Sequence, residues 1–155
     1  MYSRILVPLD GSQLAERALE PALEMARATD AEIILLEAVQ DSLAPVPEAH
    51  YNVPARETYR SAITSMKYLQ EVAARVRPQV RKVRWHVEEG DPIDAILSFA
   101  HHQDVDLIVM GTHGRSGVSR VVMGSVAEKV SLTTHRPVLL VKPDRSKVHV
   151  RQHAA

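Results

Sequence analysis

The sequence predicts an α/β domain: a doubly wound, five-stranded parallel sheet, strand order 3-2-1-4-5, with helices on both faces. Three observations predict it. The runs Ile5–Asp10, Glu32–Val39, Leu107–Met110 and Pro137–Val141 are nearly continuous in apolar residues, as strands buried on both faces are. A fifth run, Val83–Glu88, alternates apolar and polar residues, the pattern of an exposed or edge strand. Segments with helical spacing separate these runs, so the chain reads β-α-β-α-β-α-β-α-β. Such alternation builds a parallel sheet between helices. Right-handed crossovers leave few topologies. The commonest places the switch point between strands 1 and 4, where ligands bind beyond the carboxyl ends.

Each element has its own warrant. In the first strand Pro8 cannot donate a ladder bond, which places it at the strand's end. Gly11-Ser12 follows as a turn, with Ser12 a good N-cap. Ala15, Ala18, Leu19, Ala22, Leu23 and Ala26 recur at helical spacing. Pro21 either kinks that helix or opens a second one from its first turn. Strand 2 is Glu32–Val39. Gln40 to Pro54 contains Pro45, Pro47 and Pro54 without a period, a long loop for a compact domain. Tyr59, Ala62, Ile63, Met66, Leu69, Ala73 and Val76 mark an amphipathic helix that Pro78 stops. After the third strand, Asp91 is an N-cap and Pro92 the first helical residue, with Ile93, Ile96, Leu97 and Ala100 facing the core. Leu107–Met110 is the most apolar strand, which argues for a central place. A glycine-rich loop, Gly111 to Gly117, follows it. The last helix runs from Gly124 to about Thr134. Residues 1–143 read as one domain, and 144–155 as a loose polar tail.

Composition excludes several functions. The 155 residues are 45% hydrophobic and 25% charged, the mix of a globular domain. Lys plus Arg and Asp plus Glu number 19 each, which argues against non-specific nucleic-acid binding. Aromatic residues are 4%, too few for stacking single strands. Cysteine is absent, which excludes thiol catalysis and thiolate metal sites. Neither a signal peptide nor an apolar run of about 18 residues is seen, so the expectation is a cytoplasmic protein without membrane contact.

The glycines carry the functional signal. Four of six, Gly111, Gly114, Gly117 and Gly124, fall within 14 positions. They follow an apolar strand and lead into a helix that starts at Gly124-Ser125. Glycine lets backbone N–H groups approach an anion closely, and a helix N-terminus adds unpaired donors. Ser125 offers a hydroxyl; His113, Arg115 and Arg120 offer cations. A tight turn needed only for packing would also use glycine, but the switch-point position favours phosphate. Neither the Walker A loop nor the dinucleotide fingerprint is present.

Gly111-Thr112-His113-Gly114, nine residues, then Gly124-Ser125 is similar to the G-x2-G-x9-G-(S/T) motif of the universal stress protein family. Asp106–Gly117, Ile5–Ser12, Gly90-Asp91-Pro92 and Arg136–Val141 resemble the family as well, so the resemblance spans about residues 2 to 143. It implies the ATP-binding branch, a Rossmann-like fold and a homodimer. Carried over by position, Gly114, Arg115, Gly124, Ser125 and the adjoining Val126 would hold phosphates, with His113 as cationic help. Met110 and Gly111 would lie against the nucleoside, Pro8, Leu9 and Asp10 would form the opposite wall, and Ala38 and Val39 would border adenine. Asp10 would accept a ribose hydroxyl or support Mg²⁺ through water; the plainer reading is a turn residue bonding its own backbone.

The remaining residues carry less. His101 and His102 are adjacent on a helix and point to different faces. His149 and His153 lack the zinc-protease pattern. No Gly-x-Ser-x-Gly elbow occurs. The expected function is an ATP-binding, stress-response regulatory module with slow hydrolysis at most, signalling to an unidentified protein partner. Its dimer would form through the exposed apolar strand 137–141. The alternatives are an enzyme of the related nucleotide α-hydrolase type, whose His-x-Gly-His and Ser-Gly-Gly-x-Asp-Ser motifs are missing, or a purely structural interaction protein.

Overall fold

The computed structural model describes residues 1–39, 55–113 and 123–142. The Gln40–Pro54 loop, Gly114, Arg115, Gly117 and Arg120 of the glycine loop, and the tail from 143 lie outside the described residues.

Five strands, β1 (Arg4–Leu9), β2 (Glu32–Val39), β3 (Val83–Glu89), β4 (Leu107–Gly111) and β5 (Val138–Val141), form one sheet in the order β3-β2-β1-β4-β5. Every pairing is parallel. The helices are α1 (Gln13–Glu16), α2 (Leu19–Thr29), α3 (Ala55–Val76), α4 (Pro92–His102) and α5 (Ser125–Thr133), with a 3₁₀ turn at Arg77–Gln79. The topology is the one the sequence predicts.

Strand alternation sorts the core into two faces. Ile5, Val7, Leu9, Ile33, Leu35, Leu107 and Val109 pack with Ala15 of α1, Ala22 and Leu23 of α2, and Leu69, Val72 and Val76 of α3. Leu6, Ile34, Leu36, Ile108 and Met110 pack with Ile96 and Phe99 of α4 and Ala127 and Val130 of α5. Strands 1, 2 and 4 thus send aliphatic side chains into both layers, which is why they read as unbroken apolar runs. β4 is interior, but β1 takes the middle of the sheet. Alternating β3 is the edge next to β2.

Pro21 is the third residue of α2, the first-turn place in a second helix. Its missing N–H falls among the first-turn donors that have no helical partner anyway, so the proline costs no bond. The chain instead breaks between α1 and α2, at Arg17 and Ala18. Gly111, expected to open the loop, is the last residue of β4 and pairs with Val141.

One feature of the register shapes the site. β1 pairs with β2 over six residues but with β4 over only two, Ile5 with Leu107 and Leu6 with Ile108. Beyond Leu6 and Ile108 the ladder between the two strands stops. Below that point, at the other end of the sheet, Asp106 ties them: its Oδ2 accepts the amides of Ser3 at 2.6 Å and Arg4 at 2.8 Å.

Candidate functional site: a cleft at the switch point

Past the end of that ladder, a cleft of about 330 Å³ opens at the carboxyl end of the sheet. β1 contributes Pro8 and Leu9, and Asp10 follows them. Asp10 Oδ1 accepts the Ser12 amide at 2.9 Å, the turn its position before glycine suggested. Gly11 completes that turn at φ +80°, a conformation in which a side chain would be strained. Ser12 then caps α1, its Oγ accepting the Ala15 amide at 3.1 Å. This places Ala15 against the cleft.

β4 forms the other wall through Met110 and Gly111, followed by Thr112 and His113. Gly111 is needed for close approach. A Cβ there would lie 3.0 Å from the Leu14 carbonyl oxygen and 3.4 Å from the Ala15 Cα. The start of α5 closes this side with Gly124, Ser125, Val126 and Ala127. Gly124 is the N-cap and brings no side chain to the first-turn amides of α5. Those donors and the helix dipole favour an anion here. A Cβ on Gly124 would stand 3.1 Å from the Thr112 carbonyl oxygen, whose bond from the Gly124 amide is 2.7 Å long. Gly111 thus lets β4 approach α1, and Gly124 lets the start of α5 approach the backbone of Thr112 and His113.

The third wall is β2 with Leu36, Glu37 and Ala38, and α4 supplies Pro92 and Ile96. Asp91 sets the start of α4, its Oδ1 accepting the Ile93 amide at 2.9 Å. Leu36, Ile96 and Met110 make this part of the cleft apolar. The acids lie toward α3. Tyr68 donates to Glu16 Oε1 at 3.0 Å, and burial, then the Glu16 carboxylate, hold its phenol well above the usual tyrosine range; Glu37 and Asp10 add to the same field.

Of the residues the sequence singles out, Pro8, Leu9, Asp10, Ala38, Met110, Gly111, His113, Gly124, Ser125 and Val126 line this cleft. Val39 does not: it is buried, with its carbonyl accepting the Gly90 amide at 2.9 Å. Gly114 and Arg115 lie outside the described residues. Ala15, Leu36, Glu37, Pro92, Ile96, Thr112 and Ala127 also line it and were not picked out. For Glu37 a signal existed: a carboxylate inside an apolar interior strand, here 3% exposed, is rare without a partner. Among the described residues no group of three or more His, Cys, Asp or Glu side chains is placed to hold a metal ion. His102 bonds back to Ser98 on its own helix, and His86 pairs with Glu88 at 3.1 Å. No described helix is long and apolar enough to cross a membrane.

Fold and cleft together define a doubly wound α/β domain with a ligand-sized site at its switch point. The model of the universal stress protein family matches residues 1–142, and the chain belongs to that family. It is 34% identical over 152 residues to the universal stress protein MJ0531 of Methanocaldococcus jannaschii, covering 95% of this chain and 86% of that one. Among solved structures it is similar to the universal stress protein UspA from Lactobacillus plantarum, with a TM-score of 0.77, 26% identity, and 90% and 97% of the two chains covered. It is also similar to the universal stress protein from Archaeoglobus fulgidus in complex with dAMP, with a TM-score of 0.66, 25% identity, and 91% and 98% covered.

Proposed function

We propose that this protein binds an adenine nucleotide, ATP foremost, in the switch-point cleft and acts as a nucleotide-dependent regulatory module in a stress response. The observation that carries the reading is the convergence of Gly111, Gly124 and the first turn of α5 on one cleft beside the apolar surface of Leu36, Ile96 and Met110. The polar end suits phosphates and the apolar end suits a base. The relative crystallised with dAMP supports the class of ligand. Gly114 and Arg115 would complete the phosphate contacts. Asp10 would accept a ribose hydroxyl or support a bound Mg²⁺ through water.

Hydrolysis is slow or absent on this reading. Fast phosphoryl transfer needs a positioned base, metal-holding acids and charge stabilisation together. Turnover well below the ~1 s⁻¹ of ordinary kinases is expected, and a Mg²⁺-dependent rate at that level surviving stringent purification overturns it. The dimer reading rests on β5, an edge strand whose four residues are all partly exposed.

Calorimetry with ATP tests the binding site. Gly124→Val crowds the Thr112 carbonyl and obstructs the first turn of α5, so affinity should fall at least ten-fold. Binding as tight as wild type refutes the site.

A further inference from the structure

β3 is an edge of the sheet, and among the described residues no strand pairs with it on the side away from β2. The Ile33 amide donates to the Lys82 carbonyl at 3.0 Å, and the Gly90 amide donates to the Val39 carbonyl at 2.9 Å. Backbone groups alternate in direction along a strand, so the even-numbered residues of β3 face β2. Those of Val83, Trp85, Val87 and Glu89 face outward, a row of donors and acceptors open to another strand. Side chains alternate between the two faces of the sheet in the same rhythm. Val83, Trp85 and Val87 pack on the α3 face, while the His86 ring lies 5.2 Å from that of Phe99 in α4. Arg84, His86 and Glu88 therefore share the α4 face.

Charged side chains usually blunt an exposed edge. Here their signs are sorted: Arg81, Lys82 and Arg84 come before His86, and Glu88, Glu89 and Asp91 after it. A second copy laid antiparallel, with the two-fold axis at His86, sets Arg84 of each chain opposite Glu88 of the other, and Arg81 opposite Asp91. It also sets Trp85 opposite Val87, an aromatic–β-branched pair of the kind that stabilises sheets. Outward-facing residues then meet outward-facing ones, as an antiparallel ladder requires. Moving the axis to Trp85 brings Arg84 against His86, and moving it to Val87 brings Trp85 against Glu89. Arg81 and Arg84 already meet Asp30 and Glu32 of their own chain, yet both stay partly exposed, and a guanidinium has several N–H donors to share. We propose that β3 is a self-association edge whose occupant is a second copy of this chain, paired antiparallel about His86. β3 and β5 are opposite ends of the sheet, so this contact does not compete with pairing at β5. One pair of strands buries less than the ~1,000 Å² of a stable interface. The contact is accordingly weak, occupied at about millimolar protein and empty at micromolar, and it needs no nucleotide.

Oxidative trapping tests it. The chain has no cysteine, so a single introduced thiol reports its own surroundings. At the axis the two His86 Cα atoms would lie about 4.5 Å apart, the spacing of a non-hydrogen-bonded antiparallel pair and within reach of a disulfide. With a copper–phenanthroline oxidant at millimolar protein, His86→Cys should form covalent dimer about ten-fold faster than Glu24→Cys, an exposed site on α2. Adding Glu88→Arg sets like charge against Arg84 and should slow trapping several-fold. In the unsubstituted protein, raising the concentration from micromolar to millimolar should shift the amide resonances of Val83, Trp85, Val87 and Glu89 ahead of those facing β2. Equal trapping at the two sites, trapping indifferent to Glu88→Arg, or shifts that spare these four amides overturns the proposal.

Discussion

The Tyr68 hydroxyl donates to Glu16 Oε1 at 3.0 Å, while Arg75 holds Oε2 of the same carboxylate at 2.7 Å. Glu16 ends the four-residue helix α1, so two residues of the long helix α3 hold in place the short element that forms one rim of the cleft.

This pair makes the protein sensitive to alkali. Burial, then Glu16, raises the Tyr68 pKa, so the folded state keeps a phenol proton that the unfolded chain releases near its ordinary ~10. The contribution is complete below that pH and is lost as pH rises toward the folded value. Wild type should therefore lose stability above pH ~10 with a slope component no steeper than ~1.4 kcal/mol per unit. Tyr68→Phe should be about 1 kcal/mol less stable at pH 7 and lack that component. Urea midpoints from pH 8 to 11.5 give the comparison; parallel curves for the two proteins would contradict it.

The two glycines of the cleft should differ in what they tolerate. At Gly111 a Cβ meets backbone of α1 at 3.0 Å and the His113 carbonyl oxygen at 3.2 Å, and backbone cannot swing aside. Gly111→Ala should cost ~1–3 kcal/mol, the usual range for overpacking. At Gly124 the tightest contact is 3.1 Å and φ is an ordinary −63°. Gly124→Ala should cost clearly less in stability. Thermal unfolding of both, each without nucleotide, ranks them; the reverse order would mean that α1 yields more easily than its packing indicates.

Asp106 accepts two consecutive amides of the chain entering β1 and lies just before β4. Asp106→Ala takes the shared Oδ2 acceptor from both amides at the end of a pairing only two residues long. A loss of ~1–3 kcal/mol is expected, the scale for hydrogen bonds to a charged group. Amide exchange should speed up at Ser3 and Arg4 in particular. Unchanged protection there would show that the sheet, not Asp106, holds that end.

The edge of β5 gives the assembly prediction. The amides of Ile108 and Thr112 donate to the carbonyls of Pro137 and Val141. Strand alternation then leaves the backbone groups of Val138 and Leu140 facing the open edge. If two copies pair there, Leu140→Pro removes an outward donor without touching the β4 ladder and should give monomers in light scattering. Removing residues 144–155 should leave the dimer whole. A wild-type monomer at high micromolar concentration, or dissociation by the tail deletion alone, rules this edge out.

Sequence reasoning reached the strand order because buried apolar strands alternate with helices, which calls for a parallel sheet, and the commonest doubly wound arrangement is the one the chain adopts. It reached Ser12, Asp91-Pro92 and Gly124 because capping is local chemistry. Pro21 left two options that spacing could not separate, since the break falls at Arg17-Ala18, which nothing in those residue types announces. Ala15, Pro92 and Ile96 were missed as cleft residues because they come from elements far apart in the chain and meet only at the carboxyl end of the sheet. Val39 came in with Ala38 through the family resemblance, yet it is not among the residues that line the cleft, and its carbonyl bonds to the Gly90 amide.

The short ladder between β1 and β4 makes cohesion and capacity competitors for the same few residues. Just two rungs, at Ile5 and Leu6, join the three-stranded part of the sheet to the two-stranded part. One more rung would carry the ladder to Val7 and Val109, toward the opening. One fewer would leave the halves meeting at a single pair. The chain is therefore confined to a narrow range of registers along this line, and changes in ligand preference are more accessible through the side chains around the rim than through the seam beneath them.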